Sequence, residues 1–209
     1  MTRGTLIIMA KAPRAGAVKT RLGRDIGMGR AAALFRILSE RTIEEARRGD
    51  WRTIIAVSPT NAAIDGWGAL WPAGVARIPQ GASDFTAGDL GERMSRAMRA
   101  APAGPIVVIG ADAPGMRARH IRTAFSTLNG ADAVFGPAND GGYWLIGLAR
   151  RRTAPALFYG VRWSSPHALA DTVESLPAGF SVKYLPTLGD VDTAADLASI
   201  GLRSTRGGA

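Results

Sequence analysis

The chain contains no cysteine in 209 residues. That absence excludes disulfides, thiolate nucleophiles and cysteine-ligated zinc, and several enzyme classes with them. Long apolar runs are missing too. No stretch approaches the ~20 residues of a membrane-spanning helix, and the first run, Thr5 to Ala10, is too short for the core of a secretory signal. A cytoplasmic protein with no membrane span is the expectation. Histidine is scarce: His120 and His167 have no partner visible in the sequence. Both are expected at the surface, and a two-histidine metal centre is not expected. Lysine is almost as rare, since all but Lys11, Lys19 and Lys183 of the 26 basic residues are arginine.

With 46% hydrophobic residues the chain can bury one large core. A single domain over residues 1–202 is expected, followed by a flexible tail over 203–209. The net charge of +9 favours anionic partners. The basic residues are scattered without regular aromatic interleaving, so nucleic acid is not the expected partner.

The stretch that organises the rest is Gly104 to Met116 (GPIVVIGADAPGM). Ile106 to Ile109 form an unbroken β-branched run between breakers, which reads as a buried parallel strand. Gly110 lets the chain turn and Pro114 stops the strand from continuing, so Asp112 is held at the sheet rim. Ligands of open α/β sheets bind at that rim. A carboxylate there suits a divalent cation held against phosphates; a turn aspartate bonding its own backbone is the structural alternative.

Thr5 to Ala10 reads as the first central strand and runs into Lys11 to Leu22 (KAPRAGAVKTRL). Lys11, Arg14, Lys19 and Arg21, around Pro13 and Gly16, make an anion cradle on a bent loop. Each close cation–phosphate contact gains roughly 4 kcal/mol before desolvation at an effective dielectric near 20. Four cations suit a triphosphate or a departing pyrophosphate. The glycine spacing does not match a Walker loop.

Met28 to Arg48 has the apolar spacing of a long helix, Thr53 to Val57 and Val75 to Ile78 read as strands, and Asn61 to Leu70 as a short helix. The alternation predicts βαβ units and a mostly parallel sheet. Gln80 to Gly91 reads as a glycine-rich loop entering a helix at Gly88 and Asp89. It suits reading a base edge, a lid, or a plain turn. Ile121 to Leu128 predicts another helix, and Asp132 to Gly136 a fifth strand. Asp140-Gly141-Gly142 is a turn into the apolar run Tyr143 to Leu148, a hairpin or sheet return. Its glycines permit close approach of a ligand, and as a hairpin turn they need none. Ser165 and Pro166 are expected to start the next helix. Near the end, Asp190 and Asp192 point the same way on an extended segment. Asp192 either faces Asp112 across a metal, with Asp190 beside it, or caps the final helix. Thr193 and Asp196 supply a capping box for that helix.

Five stretches in order, KAPRAGAVKTRL, GDLGERM (Gly88 to Met94), GADAPGM (Gly110 to Met116), GPANDGGYWLIGL (Gly136 to Leu148) and DVDTAADL (Asp190 to Leu197), resemble the bacterial glycosyltransferase-like proteins of the domain family of unknown function 2064. That family is similar in fold to the nucleotide-diphospho-sugar transferases, and more narrowly to phospholactate guanylyltransferase and the molybdenum cofactor guanylyltransferase. The resemblance implies an α/β fold: a single three-layer domain with a mostly parallel mixed sheet, of nucleotide-diphospho-sugar transferase (glycosyltransferase-A) type. It implies Mg2+ or Mn2+ on Asp112, with Asp192 in the place of the late metal-binding group. It makes Lys11, Lys19 and Arg21 phosphate binders and puts Asp140 to Gly142 beside the acceptor. Ala113 stands where the family pattern leads one to expect cysteine or threonine, and the Gly81 to Ala87 segment is longer than usual.

The expected activity is nucleotidyl transfer from a nucleoside triphosphate to a small phosphorylated or hydroxylated acceptor. Lys19 and Asp112 would be catalytic, and Lys11, Arg14, Gly16, Lys19, Arg21, Gly88, Asp89, Asp140, Gly141 and Gly142 would hold the nucleotide. Glycosyl transfer from a nucleotide-sugar is the alternative, although Asp112-Ala113-Pro114 lacks the second acid of the usual Asp-x-Asp. A non-catalytic nucleotide-binding protein is a third reading.

Overall fold

The structure, a computed structural model, describes residues 3–63, 71–81, 88–154, 156–189 and 196. The expected tail, most of the Gly81 to Ala87 segment, and Asp190, Asp192 and Thr193 lie outside the described residues.

Seven strands form one sheet: β1 (Thr5–Lys11), β2 (Arg52–Ser58), β3 (Ala76–Pro79), β4 (Ile106–Gly110), β5 (Ala133–Pro137), β6 (Tyr143–Leu148) and β7 (Val182–Tyr184). Their order across the sheet is β3-β2-β1-β4-β6-β5-β7. β6 runs antiparallel to both neighbours and the remaining pairings are parallel. The helices are α1 (Thr20–Ile26), α2 (Met28–Ala46), α3 (Leu90–Ala100), α4 (Ala118–Thr127) and α5 (Ala168–Glu174).

Side-chain alternation along β1 shows the three layers. Leu6, Ile8 and Ala10 pack with Ile43 and Ala46 of α2 and with Ile121 and Ala124 of α4. Ile7 faces the other way, into a cluster with Met94, Ala97 and Met98 of α3 and Leu169 and Val173 of α5. Both faces of the sheet are therefore covered, and that is why β1 and β4 read as continuous apolar runs. Ile109 is 1% exposed, so truncation to alanine there would cost about 2–5 kcal/mol.

The rim at the carboxyl ends of these strands is tied together by one amide. Gln80, 3% exposed, donates through Nε2 to the carbonyls of Ala10 and Ala56, each at 2.9 Å, and accepts from Arg93 at 3.2 Å. This links the ends of β1 and β2 to α3. Burial depresses the Arg93 guanidinium pKa, against a smaller opposing pull from Asp89. Losing Gln80 would remove two buried hydrogen bonds, each with a net worth of about 0.5–1.5 kcal/mol.

Several boundaries differ from the sequence reading. The basic loop ends at Lys19, where α1 begins. This helix is largely polar and buries only Leu22 and Gly23, so its periodicity is invisible. α2 ends at Ala46, two residues early. The helix expected over Asn61 to Leu70 begins as a 3₁₀ turn, Thr60–Ala63, and residues 64–70 lie outside the described part. Ser165 and Pro166 do not start α5: Ser165 Oγ accepts from the His167 backbone at 3.2 Å in a turn, and the helix begins at Ala168. β7 has three residues, two of them exposed, and was not anticipated.

Candidate functional site

Parallel pairing of β1 with β4 sets Met9 beside Gly110, so both strand ends open onto the same rim. The chain leaving β1 turns through Gly16, at φ 78°, and returns to place Lys19 at the start of α1. The chain leaving β4 places Asp112 opposite. Lys19 Nζ lies 2.6 Å from Asp112 Oδ2, with the lysine side chain 6% exposed and the aspartate side chain 32%. Asp112 is thus paired across the rim, which the turn-aspartate alternative did not anticipate. Lys19 adopts a left-handed backbone, φ 46° and ψ 44°, a region costly for a residue with a side chain.

A cleft of about 590 Å³ opens over this pair. Lys11, Arg21 and Asp140 line it together with Lys19 and Asp112. A smaller lobe of about 290 Å³ shares Lys19, Asp112, Asp140, Ser164 and Ser165 with the first, so the two meet at Asp112. Tyr143, Trp144, Trp163 and Leu188 wall the second lobe.

Asp140 reaches the site because β6 reverses direction. The β5–β6 turn lands at the same rim, and Asp140 Oδ1 accepts from the Gly142 backbone at 2.9 Å. Gly141 is required by the fold. At φ 84°, a Cβ there would collide with the Pro166 carbonyl oxygen, and its own carbonyl accepts from Leu169 N at 3.0 Å. The close approach suggested by the paired glycines is made at Gly141 by the chain itself.

Gly88 and Asp89 stand at the entry to α3. Asp89 Oδ1 accepts from Glu92 N at 2.8 Å while Glu92 Oε2 accepts in turn from Asp89 N at 3.2 Å, a complete capping box. Asp89 Oδ2 also accepts from Trp163 Nε1 at 3.2 Å. This acid fixes the wall of the smaller lobe. Arg14 and Gly16 sit on the exposed outer part of the basic loop and do not line either lobe.

Sequence reasoning missed Trp163, Ser164 and Ser165. Their signal is the Trp-Ser-Ser-Pro cluster before α5, of which only Ser165 and Pro166 were given a role, as a helix start. His120 is half-buried against Trp144, ring centroids 5.7 Å apart, with Nδ1 accepting from Arg117 N at 3.2 Å. Burial, and then the nearby Arg119 and Arg117, hold its pKa below the ordinary imidazole value.

Asp112 and Asp140 offer the oxygen ligands that Mg2+ and Mn2+ prefer, and magnesium is commonly held by one or two carboxylates plus substrate phosphates. The donor chemistry therefore fits such an ion. Among the described residues there is no group of three or more candidate metal ligands. No helix among them is long and apolar enough to cross a membrane.

Residues 42–165 match the family described as uncharacterized protein conserved in bacteria (DUF2064). A solved protein from Desulfovibrio desulfuricans G20, provisionally described as a nucleotide-diphospho-sugar transferase, is 30% identical over 99% of this chain and 90% of its own, with TM-score 0.85. At lower identity the likeness is one of fold. Rv0371c of Mycobacterium tuberculosis H37Rv, solved with manganese, is 16% identical over 95% and 98% of the two chains, TM-score 0.55. The inositol-1-phosphate CTP transferase of T. maritima is 14% identical over 95% and 93%, TM-score 0.59. No curated protein matches.

Proposed function

We propose, for a chain that belongs to the DUF2064 family, nucleotidyl transfer from a nucleoside triphosphate to a small acceptor. The observation that carries this reading is the Lys19–Asp112 pair, 2.6 Å apart at the junction of a cation-lined cleft and a smaller aromatic one. In this reading Lys11, Lys19 and Arg21 bind the phosphates in the larger lobe. The acceptor oxygen attacks the α-phosphorus: the new O–P bond forms, the bond to the β-phosphate oxygen breaks, and pyrophosphate leaves. The acceptor hydroxyl is oriented by hydrogen bonding to Asp140, through which its proton passes to water. Lys19 and Arg21 neutralise charge that gathers on the departing pyrophosphate.

Asp112, with Asp140 or the later Asp192 and Asp190, would hold Mg2+ or Mn2+. Such an ion supplies Lewis-acid stabilisation of phosphoryl oxygens. The fold is shared with a transferase whose name specifies CTP and with a protein solved with manganese, which supports this choice. Proximity and charge suffice for the reaction, in keeping with a chain that has no cysteine and two histidines.

Glycosyl transfer is the second reading, favoured by the description of the Desulfovibrio protein. A nucleotide panel with Mg2+ or Mn2+ separates the two. Triphosphates are expected to raise the thermal midpoint and to release pyrophosphate with a suitable acceptor. A shift confined to nucleotide-sugars, with free nucleoside diphosphate as product, would overturn nucleotidyl transfer.

A further inference from the structure

The smaller lobe differs from the larger in its polar equipment. Among its described lining residues the single cation is Lys19, at the junction and already on Asp112. The polar heads of its three aromatic walls are turned to partners in the protein. Trp163 Nε1 donates to Asp89 at 3.2 Å, Trp144 Nε1 donates to the Pro186 carbonyl at 3.3 Å, and Tyr143 Oη accepts from Thr172 at 3.4 Å. Ser165 Oγ is spent on the Arg162 carbonyl at 2.7 Å. The aromatic rings therefore contribute carbon surface, while Asp112 and Asp140 stand at the mouth.

Before a metal is bound, an anionic group entering this lobe would meet Asp140 and the Lys19-paired Asp112, and would give up its water without ion pairing from the aromatic walls. A neutral molecule escapes the cost of desolvating a charge and gains by burying its apolar ring face, and its hydroxyls find acceptors at the mouth. At about 290 Å³ the lobe lies at the low end of small-molecule sites and has room for one ring-sized body, not a second nucleotide. We infer that this lobe binds an uncharged, hydroxyl-bearing ring compound as the acceptor, in preference to its phosphorylated counterpart. The assignment rests on the transferase reading and narrows its acceptor to one chemical class.

The test is a titration of the full chain, without nucleotide, using matched probes: myo-inositol against inositol 1-phosphate, and glucose against glucose 1-phosphate. Tryptophan emission and calorimetry read the binding. The neutral member of each pair is expected to bind about tenfold more tightly than its phosphate. Leu90→Arg sets a guanidinium in the wall and is expected to close that gap; Ala138→Arg serves if the first variant does not fold. Equal or tighter binding of the phosphates by the unaltered chain would overturn the inference. So would the absence of neutral-probe binding below about 10 mM. A separate thermal-shift titration with triphosphates and Mg2+ reads the larger lobe. A shift there while the neutral probes fail removes the acceptor assignment and leaves the transferase reading standing. Neutral-probe binding with no triphosphate shift leaves a lobe that binds neutral rings and removes the transferase reading, and the acceptor role with it.

Discussion

Two aspartates of this chain are held in opposite ways. Asp171, on α5, takes three hydrogen bonds from one residue: Arg162 Nη2 to Oδ1 at 2.8 Å, and Arg162 Nε and backbone N to Oδ2 at 2.9 and 3.0 Å. The Arg162 side chain, and next its backbone N–H, hold the Asp171 pKa far below the usual carboxylate range. Asp112 meets a lysine from another strand end, on Oδ2, and stays 32% exposed to the cleft. A carboxylate has about four lone-pair sites. Asp171 spends most of them closing a local loop, whereas Asp112 keeps accepting capacity that faces a cavity. Charge alone does not mark a functional acid; the distribution of its donors does.

The comparison breaks most sharply at Asp112. Asp112→Asn should lower turnover by about three orders of magnitude, the equivalent of about 4 kcal/mol in the barrier. Its circular dichroism and thermal midpoint should stay close to those of the parent chain. If the midpoint falls and turnover survives, Asp112 is a structural acid of the Asp171 kind. Lys19→Met should cost about a hundredfold in kcat/KM, as expected for loss of one charge stabiliser, together with weaker triphosphate binding by calorimetry.

Asp171→Asn should do the converse, lowering the midpoint at neutral pH and leaving nucleotide binding unchanged. Its folded pKa is depressed, so the stabilisation is complete above the unfolded value of about 3.9 and fades as pH falls below it. The parent and variant melting curves should therefore converge in acid. The smallest effect is expected at His120. With its folded pKa lowered, stability is full above about 6.5 and declines as pH falls through the folded value. A melt series from neutral to mildly acidic pH should show a slope that His120→Gln flattens.

The parallel core was legible because β1 and β4 are buried on both faces and so are apolar throughout. The β5–β6 return was legible from Asp-Gly-Gly between two apolar runs. α1 and β7 were not, because one buries only two of seven residues and the other is a short, mostly exposed edge. The individual site residues Lys11, Lys19, Arg21, Asp112 and Asp140 could be picked out from loop chemistry. A basic turn facing Asp112 at one rim was expected, but the direct Lys19–Asp112 pair was not, since residues 19 and 112 are joined by strand register and not by spacing. The aromatic lobe was hidden for a related reason: Trp163 is fixed by Asp89, far away in the chain, and a lone tryptophan carries no periodic signature.

Lys19 occupies a backbone conformation that suits glycine better than any residue with a β-carbon. Selection for heat resistance alone would therefore tend to trade this lysine for glycine, relaxing the main chain while discarding the ammonium group. A library screened for both thermal survival and turnover should find position 19 where those demands part, with the hottest survivors inert.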